Sequence, residues 1–380
     1  MKRNFLQVLI LFVFCTALYG DDYRLYLNRA DALIRLRSEW DSEKYDSLEI
    51  CCDGSHIRIP DLPDLGYRSI SVDQIYNTPL SAVDLAPLQK FHLDSFAFSR
   101  GKVKNLRLLP ADRLRTISGN YWGELDAEEL NDRNLPELET LNINILYGKE
   151  LDLRGIPNLN RLVICNAPEL ERLLLSPDAP VSSLQLSAPR LREFPVFRHE
   201  SLKSLTFDTD RGFAYETAAP RKLSRPRPGG IWNFERLACL RFPNLETLRL
   251  SGIGGKTLRL PEAPRLKKLS LSNLELENLD GLKSISIREL ELRRLPRLSD
   301  FSALTGSSIQ ELTLDNLPAT RWGLPNGLPP QATVYCTPEF LETPIPLFFR
   351  NKCFWKAICL PVAGMAFIVC AFQHASWASC

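Results

Sequence analysis

One apolar motif returns along this chain at a nearly constant interval. It reads apolar-x-x-apolar-x-apolar, as in Leu138-Glu-Thr-Leu-Asn-Ile143, Leu159-Asn-Arg-Leu-Val-Ile164, Val181-Ser-Ser-Leu-Gln-Leu186 and Leu202-Lys-Ser-Leu-Thr-Phe207. It resumes as Leu245-Glu-Thr-Leu-Arg-Leu250, Leu266-Lys-Lys-Leu-Ser-Leu271, Ile287-Arg-Glu-Leu-Glu-Leu292 and Ile309-Gln-Glu-Leu-Thr-Leu314. Successive starts lie 21 or 22 residues apart, except that 43 separate Leu202 from Leu245. Weaker copies begin at Tyr67, Leu88 and Val103, and half-beats recur at Leu170 and Leu191. Strand side chains alternate, so both apolar residues of each Leu-x-Leu share a face. One such turn cannot cover that face alone, whereas stacked turns bury a continuous core. The expected fold is a mainly β repeat solenoid, with an extended second wall built from the half-beats. A β-sandwich also has closely spaced strands, but it does not require a fixed motif at a fixed period.

The ends and the interruption follow from local composition. Lys2 and Arg3 precede an uncharged apolar run ending at Ala17-Leu-Tyr-Gly20, the layout of a secretory signal peptide over residues 1–20. Residues 21–64 form the expected N-terminal cap, with an amphipathic helix carrying Tyr23, Leu27, Ala30, Leu33, Ile34 and Trp40 on one side. The solenoid occupies 65–336, closing with a strand at Ala332-Thr-Val-Tyr-Cys336, and the doubled interval holds a Pro/Arg-rich insertion at 208–232. Residues 337–356 form a C-terminal cap or linker, and 357–373 form an apolar tail and candidate membrane anchor; the alternative is a tail docked on protein or stapled by cysteines. Export permits disulfides, for which Cys51, Cys52, Cys336, Cys353 and Cys359 are candidates, while Cys165 and Cys239 read as buried thiols within strands. No Asn-x-Ser/Thr sequon occurs, which agrees with a bacterial source for an exported chain.

The repeat resembles the leucine-rich repeat family, most nearly the short-repeat type of bacterial secreted and surface proteins. The resemblance covers roughly residues 65–335 and is most specific over 245–317. It implies protein binding on the concave strand face. One departure is that Asn273 and Asn316 stand one residue earlier than the family's ladder asparagine, and Gly252 or Arg294 occupies other turns, so an irregular coil is expected.

Enzyme signatures fail on the residues. Gly254-Gly255-Lys256-Thr257 suggests a phosphate loop, but Leu250 stands where GxxxxGK[ST] needs its first glycine, and a second strand-like run replaces the helix that should follow. No HExxH, GxSxG or dinucleotide fingerprint is present, and His56, His92, His199 and His374 are scattered. The expectation is a non-enzymatic chain with no cofactor and no metal. Formal net charge is +2 and the outward strand positions lack aromatic residues, so nucleic acid is not an expected partner. Those positions supply the concave-face candidates Arg249, Lys268, Ser270, Glu289, Glu291, Glu311 and Thr313, a mixed polar stripe suited to a protein or peptide. The alternatives are a structural envelope protein without a ligand and an exported β-solenoid hydrolase.

Overall fold

The computed structural model describes residues 23–26, 36, 39, 41, 45–53, 58–75, 82–210, 231–283, 285–317 and 327–337, and the backbone of 355–362 and 365–371. The signal-peptide segment, most of the expected cap helix, residues 211–230 of the insertion, 338–354 and everything after 371 lie outside them. The chain divides into two compact units: residues 1–166, 172–180 and 195–197, and residues 167–171, 181–194 and 198–380.

In chain order the strands of the first unit are β1 (Tyr23–Tyr26), β2 (Ser47–Asp53), β3 (Ser69–Ile75), β4 (Val83–Asp84), β5 (Ser95–Ser99) and β6 (Val103–Lys104). They continue as β7 (Thr116–Asn120), β8 (Glu124–Asp126), β9 (Thr140–Tyr147), β10 (Glu150–Leu153), β11 (Arg161–Asn166) and β12 (Arg172–Leu175). β1, β2, β3, β5, β7, β9 and β11 pair in that order, every pair parallel, which is the wall of a β-solenoid. Core residues align across the rungs: Leu48 with Ile70, Ile70 with Phe96, Phe96 with Ile117, Ile117 with Leu141, and Leu141 with Leu162. All five pairs are between 21 and 26 residues apart in sequence, because loops of different length join rungs of one register.

Two expectations change here. Tyr23–Tyr26, read as the start of a cap helix, is a strand parallel to β2, although Leu36 and Glu39 are helical. The weak copies at Leu88 and Val103 are not rungs: Leu88 ends a 3-10 turn, and Val103 lies in β6, away from the stacked wall. The true rungs there present Phe96, Phe98 and Ile117 to the core instead of leucines. The second wall is extended where β10 pairs with β12, as the half-beat at Leu170 suggests. β4 and β6 also pair there in parallel, and tighter 3-10 turns follow at Ala86–Leu88, Leu106–Leu108 and Ala127–Glu129. The Asp84 carboxylate ties two of these turns together by accepting from the Ala86 N–H at 3.0 Å and the Asn105 amide at 2.8 Å. Those hydrogen bonds favour the carboxylate and hold its pKa below the ordinary value.

The second unit stacks β13 (Ser183–Ser187), β14 (Ser204–Asp208), β15 (Thr247–Ser251), β16 (Lys268–Ser272), β17 (Glu289–Arg293), β18 (Glu311–Asp315) and β19 (Thr333–Thr337), again all parallel. Leu248, Leu269, Leu290 and Leu312 align and are at most 1% exposed. β19 is the expected closing strand, yet the backbone goes on into β20 (Trp355–Val362) and β21 (Met365–Ala371), an antiparallel pair with β20 against β19. Much of the tail read as a candidate anchor therefore runs as strands, and among the described residues no helix is long and apolar enough to cross a membrane.

A corner explains the displaced asparagines. The residue after each of β15 to β18 takes a left-handed conformation: Gly252 at φ 68°, Asn273 at 52°, Arg294 at 50° and Asn316 at 52°. Three of their N–H groups reach the next rung, donating to the carbonyls of Ser272, Arg293 and Asp315. Asparagine and glycine tolerate this region better than other residues. Asn273 and Asn316 are therefore corner residues of the main chain and not members of an interior ladder. In the same register Leu205 pairs with Leu248, so β14 and β15 are neighbouring rungs across the doubled interval. The described end of that excursion is anchored by Trp232, which donates to the Leu191 carbonyl at 2.8 Å and packs edge-on against Phe207 at 5.2 Å. A short helix, Phe234–Ala238, follows with its N-terminus capped by the Asn233 side chain. Cys239, expected inside a strand, stands exposed at the end of this helix, while Cys165 is buried in β11.

Candidate functional site

The open face of the second unit is built by residues alternating with the buried leucines. Register aligns Thr247, Lys268, Glu289, Glu311 and Thr333 in one column, and Arg249, Ser270, Glu291, Thr313 and Tyr335 in the next. Neighbouring strands lie about 4.8 Å apart, so Arg249 on β15 and Glu311 on β18 are separated by roughly 14 Å along the stack. A shallow recess of about 160 Å³ runs over these columns, and all seven candidates Arg249, Lys268, Ser270, Glu289, Glu291, Glu311 and Thr313 line it.

The ionic pattern of the recess is graded. Lys268 and Glu289, side by side in the first column, pair at 2.6 Å. Glu291 pairs with Arg293, whose guanidinium also stands 3.9 Å from Asp315 in the third outward column. The side chains of Arg249 at one end and Glu311 at the other are exposed and carry no ion-pair or hydrogen-bond partner among the described residues. Exposed pairs such as Lys268–Glu289 contribute at most about 1 kcal/mol, so a ligand can exchange them at low cost. Residues missed in the sequence reading are Arg293, Asp315 and Tyr335. They stand at the same outward parity as the candidates, and Tyr335 adds an aromatic ring to a stripe expected to have none.

Below the corners, burial singles out Asp208. It is 4% exposed at the end of β14, in register with Ser187 and Ser251. Desolvation pushes its carboxyl up to about 6, although the Asp210 N–H and Ser251 hydrogen bonds pull the other way. Of the disulfide candidates, Cys51 stands as a buried free thiol, Cys52 is buried and Cys336 half-buried, while the Cys353 and Cys359 side chains lie outside the described residues. Among the described residues no group of three or more His, Cys, Asp or Glu is arranged to hold a metal. The Lys256 of the glycine-rich stretch pairs with Glu277 of the next turn at 2.9 Å, and Gly252 is a solenoid corner.

No protein-family model matches the chain, and no curated protein matches it.

Proposed function

We propose that the chain is an exported, non-enzymatic leucine-rich-repeat scaffold that binds a protein or peptide on the open face of its second unit. The observation that carries this reading is the recess with an unpartnered cation, Arg249, at one end and an unpartnered anion, Glu311, at the other. An extended peptide rises about 3.4 Å per residue, so groups roughly 14 Å apart match an acidic and a basic residue about four positions apart. The short 3-10 turns of the second wall and the left-handed corners also suit the leucine-rich-repeat reading. Export rests on the first 20 residues, and attachment to a membrane rests on the apolar composition of 357–373.

The test is capture of peptides from a random extended library by the full chain, compared with Arg249→Glu, Glu311→Arg and the double reversal. Selected peptides should carry an acid and a base in fixed order, and the double reversal should select the opposite order. Identical selections by all four proteins would sink the concave-face reading and favour a structural envelope protein without a ligand. Fractionation of cells expressing the chain with and without residues 357–380 separates anchored from released protein.

A further inference from the structure

Between β7 and β8 of the first unit the chain swings out of the sheet. Thr116–Ser118 pair with Thr140–Asn142 of β9, and Glu124–Asp126 pair with Ile145–Tyr147. Five residues, Gly119-Asn120-Tyr121-Trp122-Gly123, therefore stand opposite only Ile143 and Asn144. The Gly123 N–H donates to the Asn120 carbonyl at 2.8 Å, closing a four-residue turn. Its two central residues are both left-handed, Tyr121 at φ 38° and Trp122 at φ 69°. That pattern belongs to type I′ turns, where Asn and Gly are the usual occupants, and bulky side chains resist it. Such strain persists only where the surroundings enforce it. Here they do: a Cβ on Gly119 or Gly123 would stand 2.7 or 3.0 Å from the buried Phe98 ring. The Arg100 N–H donates to the Tyr121 carbonyl at 2.8 Å, and the Ile145 N–H to the Gly123 carbonyl at 3.0 Å.

The turn does not spend its aromatics on the core. Tyr121 is 74% and Trp122 45% exposed. Three asparagines flank them. The Asn142 side-chain N–H donates to the Asn120 side-chain Oδ1 at 3.4 Å, which leaves the Asn120 side-chain N–H groups and the Asn142 Oδ1 unused among the described residues. Asn144, opposite the excursion, is only 8% exposed, and its side chain has no hydrogen-bond partner among the described residues. Nearby charges cancel in pairs, Asp73 with Arg100 and Lys102 with Asp126, leaving the Glu124 carboxylate as the excess. A polyanion or an anionic lipid surface is disfavoured by that balance.

We infer that this turn is a saccharide-binding site for a neutral oligosaccharide. Tyr121 and Trp122 supply exposed apolar ring surface that stacks on the C–H faces of a sugar ring. Asn120, Asn142 and Asn144 supply amides, each both donor and acceptor, which match vicinal hydroxyls, and Glu124 supplies a further acceptor. The site is separate from the ionic recess and stands or falls without it.

Isothermal titration of the full chain with cellohexaose, xylohexaose, maltohexaose and chitohexaose reads this directly. At least one is expected to bind in the micromolar to millimolar range, with affinity reduced about tenfold or more in Trp122→Ala and largely kept in Trp122→Phe. The double change Tyr121→Asn with Trp122→Gly relieves the turn, so it is expected to raise Tm while abolishing binding; misfolding cannot mimic that result. No binding by any of the four sugars, or binding unchanged in Trp122→Ala, overturns the inference. So does Trp122-dependent binding to phosphatidylcholine vesicles without sugar binding, which would make the turn a membrane contact.

Discussion

Replacing Gly252 by Ala tests the solenoid corner at its tightest point. Two separate penalties follow from the structure. Gly252 sits at φ 68°, where a residue with a Cβ loses about 1–2 kcal/mol. Asn273, Arg294 and Asn316 tolerate the same conformation at equivalent corners, so this penalty alone is survivable. The second penalty is steric: the new Cβ would lie 2.3 Å from the Asp210 backbone nitrogen and 2.8 Å from its Cα. Because these are main-chain atoms, relief means moving the adjacent rung's corner, and overpacking of that kind costs about 1–3 kcal/mol. The expected total loss is about 2–5 kcal/mol. Gly306→Ala is the matched control, since Gly306 is also left-handed, at φ 77°, with no atom within 4 Å of the added Cβ. It should lose only the first part, about 1–2 kcal/mol. Urea unfolding of the full chain, followed by far-UV circular dichroism with slopes compared between variants, measures both. Equal losses for the two variants would refute the close approach of Asp210, and no loss at either would refute the left-handed corner itself.

Three other outcomes are expected. Asp208 binds its proton more tightly when folded, at about 6 against an ordinary 3.8, so its ionisation removes stability as pH rises from about 4 through 6. Asp208→Asn should thus be more stable than the parent at pH 7 by about 3 kcal/mol and nearly equal at pH 4; the same difference at both pH values would contradict the burial argument. Arg133 is half-buried and donates to the Leu106 carbonyl at 3.0 Å and the Leu109 carbonyl at 2.8 Å, with desolvation lowering its pKa. Arg133→Ala should cost about 2–4 kcal/mol in thermal unfolding, and Arg133→Lys should recover only part of it, because a single ammonium does not reproduce the guanidinium fork. Burial pushes the Cys51 thiol up to about 11, whereas Cys239 is exposed. Brief iodoacetamide labelling at pH 8 should modify Cys239 before Cys51 or Cys52, as read by mass spectrometry of peptides, and the reverse order would contradict the placement of β2.

The rungs were most legible where leucine repeats without interruption. Leu248, Leu269, Leu290 and Leu312 announce their register because the side-chain period of a strand is two and only one face is buried. The signal weakened in the first unit, where aromatic rings replace leucine at Phe96 and Phe98 and a glycine, Gly119, takes a core-facing place against the Phe98 ring. There the apolar residues that repeat most clearly, Leu88 and Val103, belong to the second wall. The seven candidates of the ionic recess were reachable from parity alone, since outward residues of successive rungs must form columns.

The sequence by itself determined a stack of parallel rungs, the faces their side chains share and the doubled interval before Leu245, because apolar periodicity is a local property of the chain. Only the tertiary structure decided which outward charges pair and which stand alone. It also decided that the corner residues are left-handed and that Tyr121 and Trp122 are held strained in solvent. Pairing depends on distances between side chains about 20 residues apart in sequence, and the turn's strain depends on a Phe98 ring lying beneath two glycines. Such contacts leave no local periodicity to be read.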